Sequence, residues 1–214
     1  MVRLQDIILT VIAYLIGSVP TSVWIGKRFF STDVRKHGSG NSGATNTLRT
    51  LGKKAGIVVL IIDILKGWVA VGLIYFSSYG TSDPHRIHLE VALACAAIIG
   101  HILPIYAGFK GGKGVATTLG IILAFSPEIA FLGVVVFALI LFISHYVSLA
   151  SIISISTFPL WMVVFKKMAV SHWLLAFSIF LPLLVIFMHR KNIIRLLNGQ
   201  ESKLNLFKKP APGN

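Results

Sequence analysis

Apolar runs close to the length of a bilayer crossing dominate this chain, and little polar sequence is left between them. About 20 apolar residues span the hydrocarbon of a membrane. The stretches 5–24, 56–76, 88–107, 113–125, 128–144, 149–165 and 172–188 all read as such runs, the fourth being short. With 55% hydrophobic residues, only 13% charged and a mean hydropathy of +0.82, the chain does not resemble a water-soluble domain. The first run lacks the basic lead of a signal peptide and is too long for its core, so it reads as a span. The expected fold is an all-α integral membrane protein with seven transmembrane helices, residues 1–214 forming one domain.

Charge gives the orientation. With seven spans, one side receives Lys27, Arg28, Arg35, Lys36, Arg49, Lys53, Lys54, Lys110, Lys113, Arg190, Lys191, Arg195, Lys203, Lys208 and Lys209. That is fifteen of the twenty basic residues; the other side has Arg3, Arg86, Lys166 and Lys167, and Lys66 falls within the second span. The positive-inside rule then puts the N-terminus outside and the C-terminus in the cytoplasm. A net charge of +13 on a soluble protein would suggest nucleic acid. Confined to short loops between spans, it points instead to orientation, lipid headgroups and anionic ligands.

Three polar stretches fall on the basic side. "KHGSGNSGATNTLRTLGKK", from Lys36 to Lys54, supplies small residues, the hydroxyl of Ser39, the amides of Asn41 and Asn46, and Arg49. Small residues let backbone N–H groups approach an anion, and a guanidinium can grip phosphate with two parallel bonds. The stretch reads equally as an ordinary polar loop. "GHILPIYAGFKGGKGVAT" carries His101, then Lys110, Gly111, Gly112, Lys113 and Gly114 at the mouth of the fourth span. A Walker A loop read from Gly108 fails because Lys113 stands where glycine is required. What remains is glycine backbone, two lysines and a helix N-terminus, which together suit a phosphate. "HRKNIIRLLNGQES" places His189, Asn192 and Arg195 on one side of a helix that extends the seventh span.

Outside these stretches, Asp63 and Lys66 lie three apart in the second span. Both are costly in lipid and are read as an ion pair inside the bundle. His145 and Ser148 border the basic side and either line a site or end a helix. Cys95, the single cysteine, lies in an apolar run and reads as a small buried hydrophobe. No histidine, cysteine or carboxylate cluster has metal-ligand spacing, so no cofactor is expected.

Read together, "GSVPTSVWIGK…GSGNSGATN…R", "GHILPIYAGFKGGKGVAT" and "HRKNIIRLLNGQE" closely resemble the bacterial acyl-phosphate:glycerol-3-phosphate acyltransferase family, over nearly the whole chain. The resemblance implies a multi-pass protein of the bacterial inner membrane with its active site on the cytoplasmic face. It implies transfer of a fatty acyl group from acyl phosphate to the 1-hydroxyl of glycerol 3-phosphate, giving lysophosphatidic acid and phosphate, the first step of phospholipid synthesis. The expected partners are those two substrates and membrane lipids. On this reading Ser39, His101, His189 and Asn192 form the catalytic set. Asn41, Asn46, Arg49, Lys110, Gly111, Gly112, Lys113, Gly114, Ser148, Arg195 and Glu201 contact substrate. Acyltransferases of the H-x-x-x-x-D kind are not matched, since no histidine here has Asp five positions on. The rival reading is a small transporter of phosphorylated metabolites or lipids, but a transporter site is expected near the midplane, not on one face.

Overall fold

A computed structural model describes residues 3–166 and 171–204. Among the described residues every regular element is helical and none is a strand. The helices are α1 (Leu4–Gly17), α2 (Thr21–Phe30), α3 (Ala44–Leu51), α4 (Lys53–Gly72), α5 (Arg86–Ile102), α6 (Val115–Phe125), α7 (Pro127–Ser144), α8 (Val147–Ser156), α9 (Phe158–Lys166), α10 (His172–Met188) and α11 (Arg190–Leu197). Short 3-10 turns at Val34–Lys36, Leu73–Phe76 and Ile105–Ala107 join or extend them. The basic residues Lys167, Lys208 and Lys209 lie outside the described residues.

Among the described residues, four helical lengths are long and apolar enough to cross a membrane alone: Lys53–Phe76, Arg86–Ala107, Pro127–Ser144 and Val147–Phe165. Two bent pairs pass together, α1 with α2 and α10 with α11, while α6 is a shorter apolar helix. Burial agrees with a lipid solvent. In α7, Phe131, Phe142 and Ile143 are 67%, 80% and 74% exposed, an apolar surface that water would not tolerate on this scale.

The expected boundaries need correction at four places. The first span is not one helix over 5–24: it breaks between Gly17 and Thr21 and bends by 41°. Pro20 offers no N–H and disfavours helical geometry at the residue before it. The stretch from Lys36 to Lys54 is not all loop, because Ala44–Leu51 forms α3. The helix expected as the fourth span starts at Val115 rather than Lys113, after Gly114 turns the chain at φ +82°. Finally, α11 does not extend α10 in line; the pair bends by 61° at His189.

The described residues pack as two compact units, 3–124 and 125–204. In the first, glycine sets how closely helices approach. A β-carbon on Gly17 would collide with the Ala97 carbonyl, and one on Gly100 with the Tyr14 carbonyl, so α1 and α5 touch backbone to backbone. Gly67 and Gly120 do the same for α4 and α6, against Thr117 and Ile64. Small residues at such crossings are how membrane helices gain packing when water supplies no drive. In the second unit, α8 packs against α7, α10 and α11, and Ser148 and Ser151 are buried in its first turns.

Candidate active site

In the first unit a single amide organises the loop before α3. Asn46 is 2% exposed. Its Oδ1 accepts from the Ser39 N–H at 2.8 Å, while Nδ2 donates to the carbonyls of Val34 at 2.8 Å and His37 at 3.1 Å. A buried amide satisfied on both ends stabilises by about 0.5–1.5 kcal/mol per bond. Asn46, expected as a substrate contact, thus ties its amide into the loop that carries Ser39. Ser39 itself is exposed and Asn41 half-buried, and Arg49 lies in the last turn of α3, half-buried.

Ahead of Ser39, Asp33 caps its own turn by accepting from the Arg35 N–H at 3.1 Å. The two side chains also form a fork, Nε to Oδ1 at 3.0 Å and Nη2 to Oδ2 at 2.7 Å. That bond from Arg35, against a smaller cost of burial, holds the Asp33 carboxyl at about 2. With its folded value depressed, the pair contributes stability that is present above the ordinary value of 3.8 and lost as pH falls through about 2.

The glycine–lysine loop differs from expectation. The Gly111 N–H donates to the Ile102 carbonyl at 3.1 Å and the Gly112 N–H to the His101 carbonyl at 3.2 Å. These two amides are spent inside the protein, so they are not the bare donors that the sequence suggested. Glycine is needed here for space: a β-carbon on Gly111 would strike the His101 carbonyl, and one on Gly112 would strike His101 Nε2. The His101 ring is 6% exposed and fixed by Thr117, whose Oγ1 lies 3.0 Å from Nδ1. Lys110 is exposed and Lys113 half-buried. Gly114 accepts the first bond of α6 from the Thr118 N–H at 2.7 Å.

A narrow cleft reaches this point, lined by Pro20, Ser42, Asp63, Lys66, His101 and Gly112 among others. The expected Asp63–Lys66 pair is present at 3.0 Å. Thr21 donates to Asp63 Oδ1 at 3.1 Å, and Lys66 Nζ donates to the Val19 carbonyl at 3.1 Å. That carbonyl belongs to the break between α1 and α2, where it also accepts from the Thr21 N–H at 3.0 Å. The helix break and the buried charge thus explain each other.

The second unit gathers its polar residues on Glu201. Its Oε1 accepts from Ser148 Oγ at 2.8 Å and Asn192 Nδ2 at 2.6 Å, and its Oε2 from Arg195 Nε at 2.7 Å. Burial works against the charge, but the bonds from Arg195, Asn192 and Ser148 prevail and hold the carboxyl below its ordinary value of 4.5. Its stabilisation is therefore present above that value and lost as pH falls below it. Glu201, expected to touch substrate, takes three donors and so ties Ser148, Asn192 and Arg195 to one carboxylate. His189 is 3% exposed, and its Nδ1 lies 2.8 Å from the Val185 carbonyl. A carbonyl only accepts, so Nδ1 carries the proton and Nε2 is the ring's acceptor when neutral. His145 ends α7 in a left-handed conformation and accepts from the Leu204 N–H at 2.8 Å.

The structure thus brings together Ser39 with Asn46, His101 with Gly111 and Gly112, and Ser148, Asn192 and Arg195 with Glu201. The bonds of Arg35 with Asp33, of Thr21 with Asp63 and of Thr117 with His101 were not expected from the sequence. The i, i+2 spacing of Asp33 and Arg35 was the one local signal, since the other two act across long sequence separations.

The model of the family described as glycerol-3-phosphate acyltransferase matches residues 7–199. A glycerol-3-phosphate acyltransferase of Enterococcus faecalis is 44% identical over 208 residues, covering 94% of this chain and 93% of its own. One from Clostridioides difficile is 43% identical over 198 residues, covering 92% and 95%. The crystal structure of PlsY, an integral membrane glycerol 3-phosphate acyltransferase, in its glycerol 3-phosphate form is similar at a TM-score of 0.84 and 37% identity, covering 95% of this chain and 99% of that one. Its lysophosphatidic acid form gives 0.80 and 37%, over 94% and 96%. With likeness running from the first helix to the end of α11, the chain belongs to the glycerol-3-phosphate acyltransferase family.

Proposed function

We propose that this chain transfers a fatty acyl group from acyl phosphate to the 1-hydroxyl of glycerol 3-phosphate, in the first step of phospholipid synthesis. The family match over residues 7–199 carries the reading. In this reaction the hydroxyl oxygen attacks the acyl carbon and an ester bond forms. The bond from that carbon to the phosphate oxygen breaks, and the hydroxyl proton leaves with the phosphate. The products are lysophosphatidic acid and inorganic phosphate. A mixed anhydride already has a good leaving group, so positioning and charge neutralisation supply most of the acceleration. That agrees with a chain holding many basic residues and no histidine with Asp five positions on.

In the first unit, Lys110, Lys113, the first turn of α6 and Arg49 hold phosphate oxygens, with Asn41 beside them. Ser39, held by Asn46, donates to the reacting phosphate, and His101 shapes the loop below it. In the second unit, Arg195 offers its Nη groups to an anion while Glu201 holds its Nε, and His189 and Asn192 orient a hydroxyl. The test is direct: purified protein given acyl phosphate and glycerol 3-phosphate forms lysophosphatidic acid, and acyl-CoA does not replace the donor. Product from acyl-CoA alone overturns the donor assignment. Arg49→Lys keeps the charge but loses the two-pronged grip. It raises the KM for glycerol 3-phosphate on the order of 10- to 100-fold, the equivalent of one charged hydrogen bond, and moves the donor's KM less. Saturation curves for both substrates decide it.

The proposal includes seven crossings: the four long helices, the two bent pairs and α6. It places the N-terminus outside and the reaction at the cytoplasmic face, from the bias of basic residues. In a Cys95→Ser background, an impermeant maleimide on intact cells labels a cysteine at position 86 and not one at 53. Labelling at 53 reverses the orientation.

A further inference from the structure

Arg35 belongs to none of the roles above, yet its guanidinium reaches across the first unit. After the fork to Asp33, its remaining edge donates from Nη1 to the Ala107 carbonyl at 2.9 Å. We propose that Arg35 is a positioning residue: it clasps the loop that presents Ser39 to the loop that presents Lys110 and Lys113, and so sets the register of the two segments that handle phosphate. This rests on the function proposed above.

Both loops are stiff on either side of the clasp. On one side the Asn46 amide binds Val34, His37 and Ser39 together, so whatever moves Arg35 moves Ser39. On the other, Ala107 and Phe109 donate their N–H groups to the Pro104 carbonyl at 3.1 and 2.9 Å. Gly111 and Gly112 are bonded back to Ile102 and His101. Phe109 holds φ +59°, a conformation that a bulky residue adopts only when its surroundings enforce it. The Arg35–Ala107 bond joins these two stiff loops, so its loss loosens the spacing between them.

The chemistry of the joint needs arginine. A planar guanidinium gripped at two nitrogens by a carboxylate has its third edge aimed by geometry. Lysine at 35 reaches either Asp33 or the carbonyl, but it cannot be oriented by the first toward the second. Asp33 also neutralises the charge, which argues against Arg35 serving as a phosphate ligand.

The test compares wild type, Arg35→Ala, Arg35→Lys and Asp33→Asn under saturating and limiting concentrations of each substrate. Loss of the clasp lowers kcat on the order of 10- to 100-fold, the scale of one charged hydrogen bond, and leaves both KM values within about threefold. Arg35→Lys does not restore turnover, Asp33→Asn shows a smaller loss of the same kind, and millimolar guanidinium restores part of the rate in Arg35→Ala only. A loss carried by one substrate's KM makes Arg35 a ligand and overturns the proposal, as does full turnover in Arg35→Lys. If Arg35→Ala does not purify folded, the lysine and asparagine variants decide by the same criteria. Wild type that forms no lysophosphatidic acid from acyl phosphate defeats the proposed function instead. Active wild type with an unchanged Arg35→Ala defeats the clasp alone.

Discussion

Gly112→Ala lowers the turnover of acyl transfer about 100-fold or more, while the protein still inserts and purifies. The added methyl has no room, because it would collide with Nε2 of His101. The ring cannot swing aside cheaply. It is 6% exposed and tied to Thr117 at 3.0 Å, and its own carbonyl is bonded to the amide of residue 112. Either the ring turns and gives up Thr117, or the loop lifts and carries Lys110 and Lys113 with it. A displacement of about 1 Å at a positioned group costs about 100-fold in rate. Gly114→Ala is the control. Its left-handed φ of +82° strains alanine, but the nearest atom to a new β-carbon, on Ile98, is 3.5 Å away, so the loss there is smaller. The measurement is kcat for both variants with both substrates saturating, alongside the yield of folded protein. Full turnover in Gly112→Ala would show that the contact with His101 does not fix the loop.

That prediction rests on a different contact from the phosphate the sequence suggested, and the change shows where one-dimensional reading stops. Crowded glycines before a helix, in "GFKGGKG", signal close backbone approach. They do not say what approaches. Here it is His101, ten and eleven residues earlier, at Gly111 and Gly112. The apolar runs were legible because each helix carries its own signal in about 20 residues, and the Asp63–Lys66 pair because i, i+3 neighbours share a helix face. The break after Gly17 was hidden inside unbroken apolarity, with Pro20 the one local cue. Helix α3 was hidden by its polarity: a β-carbon on Gly56 would collide with Leu48, so α3 lies flush on α4 and is held by tertiary packing. The Glu201 anchor joins residues 53 and 9 positions apart. No periodicity reports such a meeting.

Lys66→Met destabilises the first unit by about 3–5 kcal/mol, the usual result of removing one partner of a buried ion pair. Asp63 is 2% exposed. Without the ammonium at 3.0 Å, its carboxylate keeps only the Thr21 hydroxyl at 3.1 Å, far from the number of donors a buried charge needs. The same change takes the Lys66 bond at 3.1 Å away from the Val19 carbonyl and leaves it the Thr21 N–H at 3.0 Å, at the point where α1 stops and α2 has yet to start. The damage should therefore spread to the helix break. Asp63→Leu with Lys66→Met removes both charges, and well-packed apolar replacements of a buried pair are often neutral. The double variant should recover most of the lost stability, leaving a remainder from the Lys66 bond lost at the Val19 carbonyl and the Asp63 bond lost at the Thr21 hydroxyl. Thermal unfolding of the purified proteins in detergent, wild type beside the three variants of the cycle, reads the coupling between the two charges. A double variant no more stable than Lys66→Met would mean that the lysine acts on the helix break and not on Asp63.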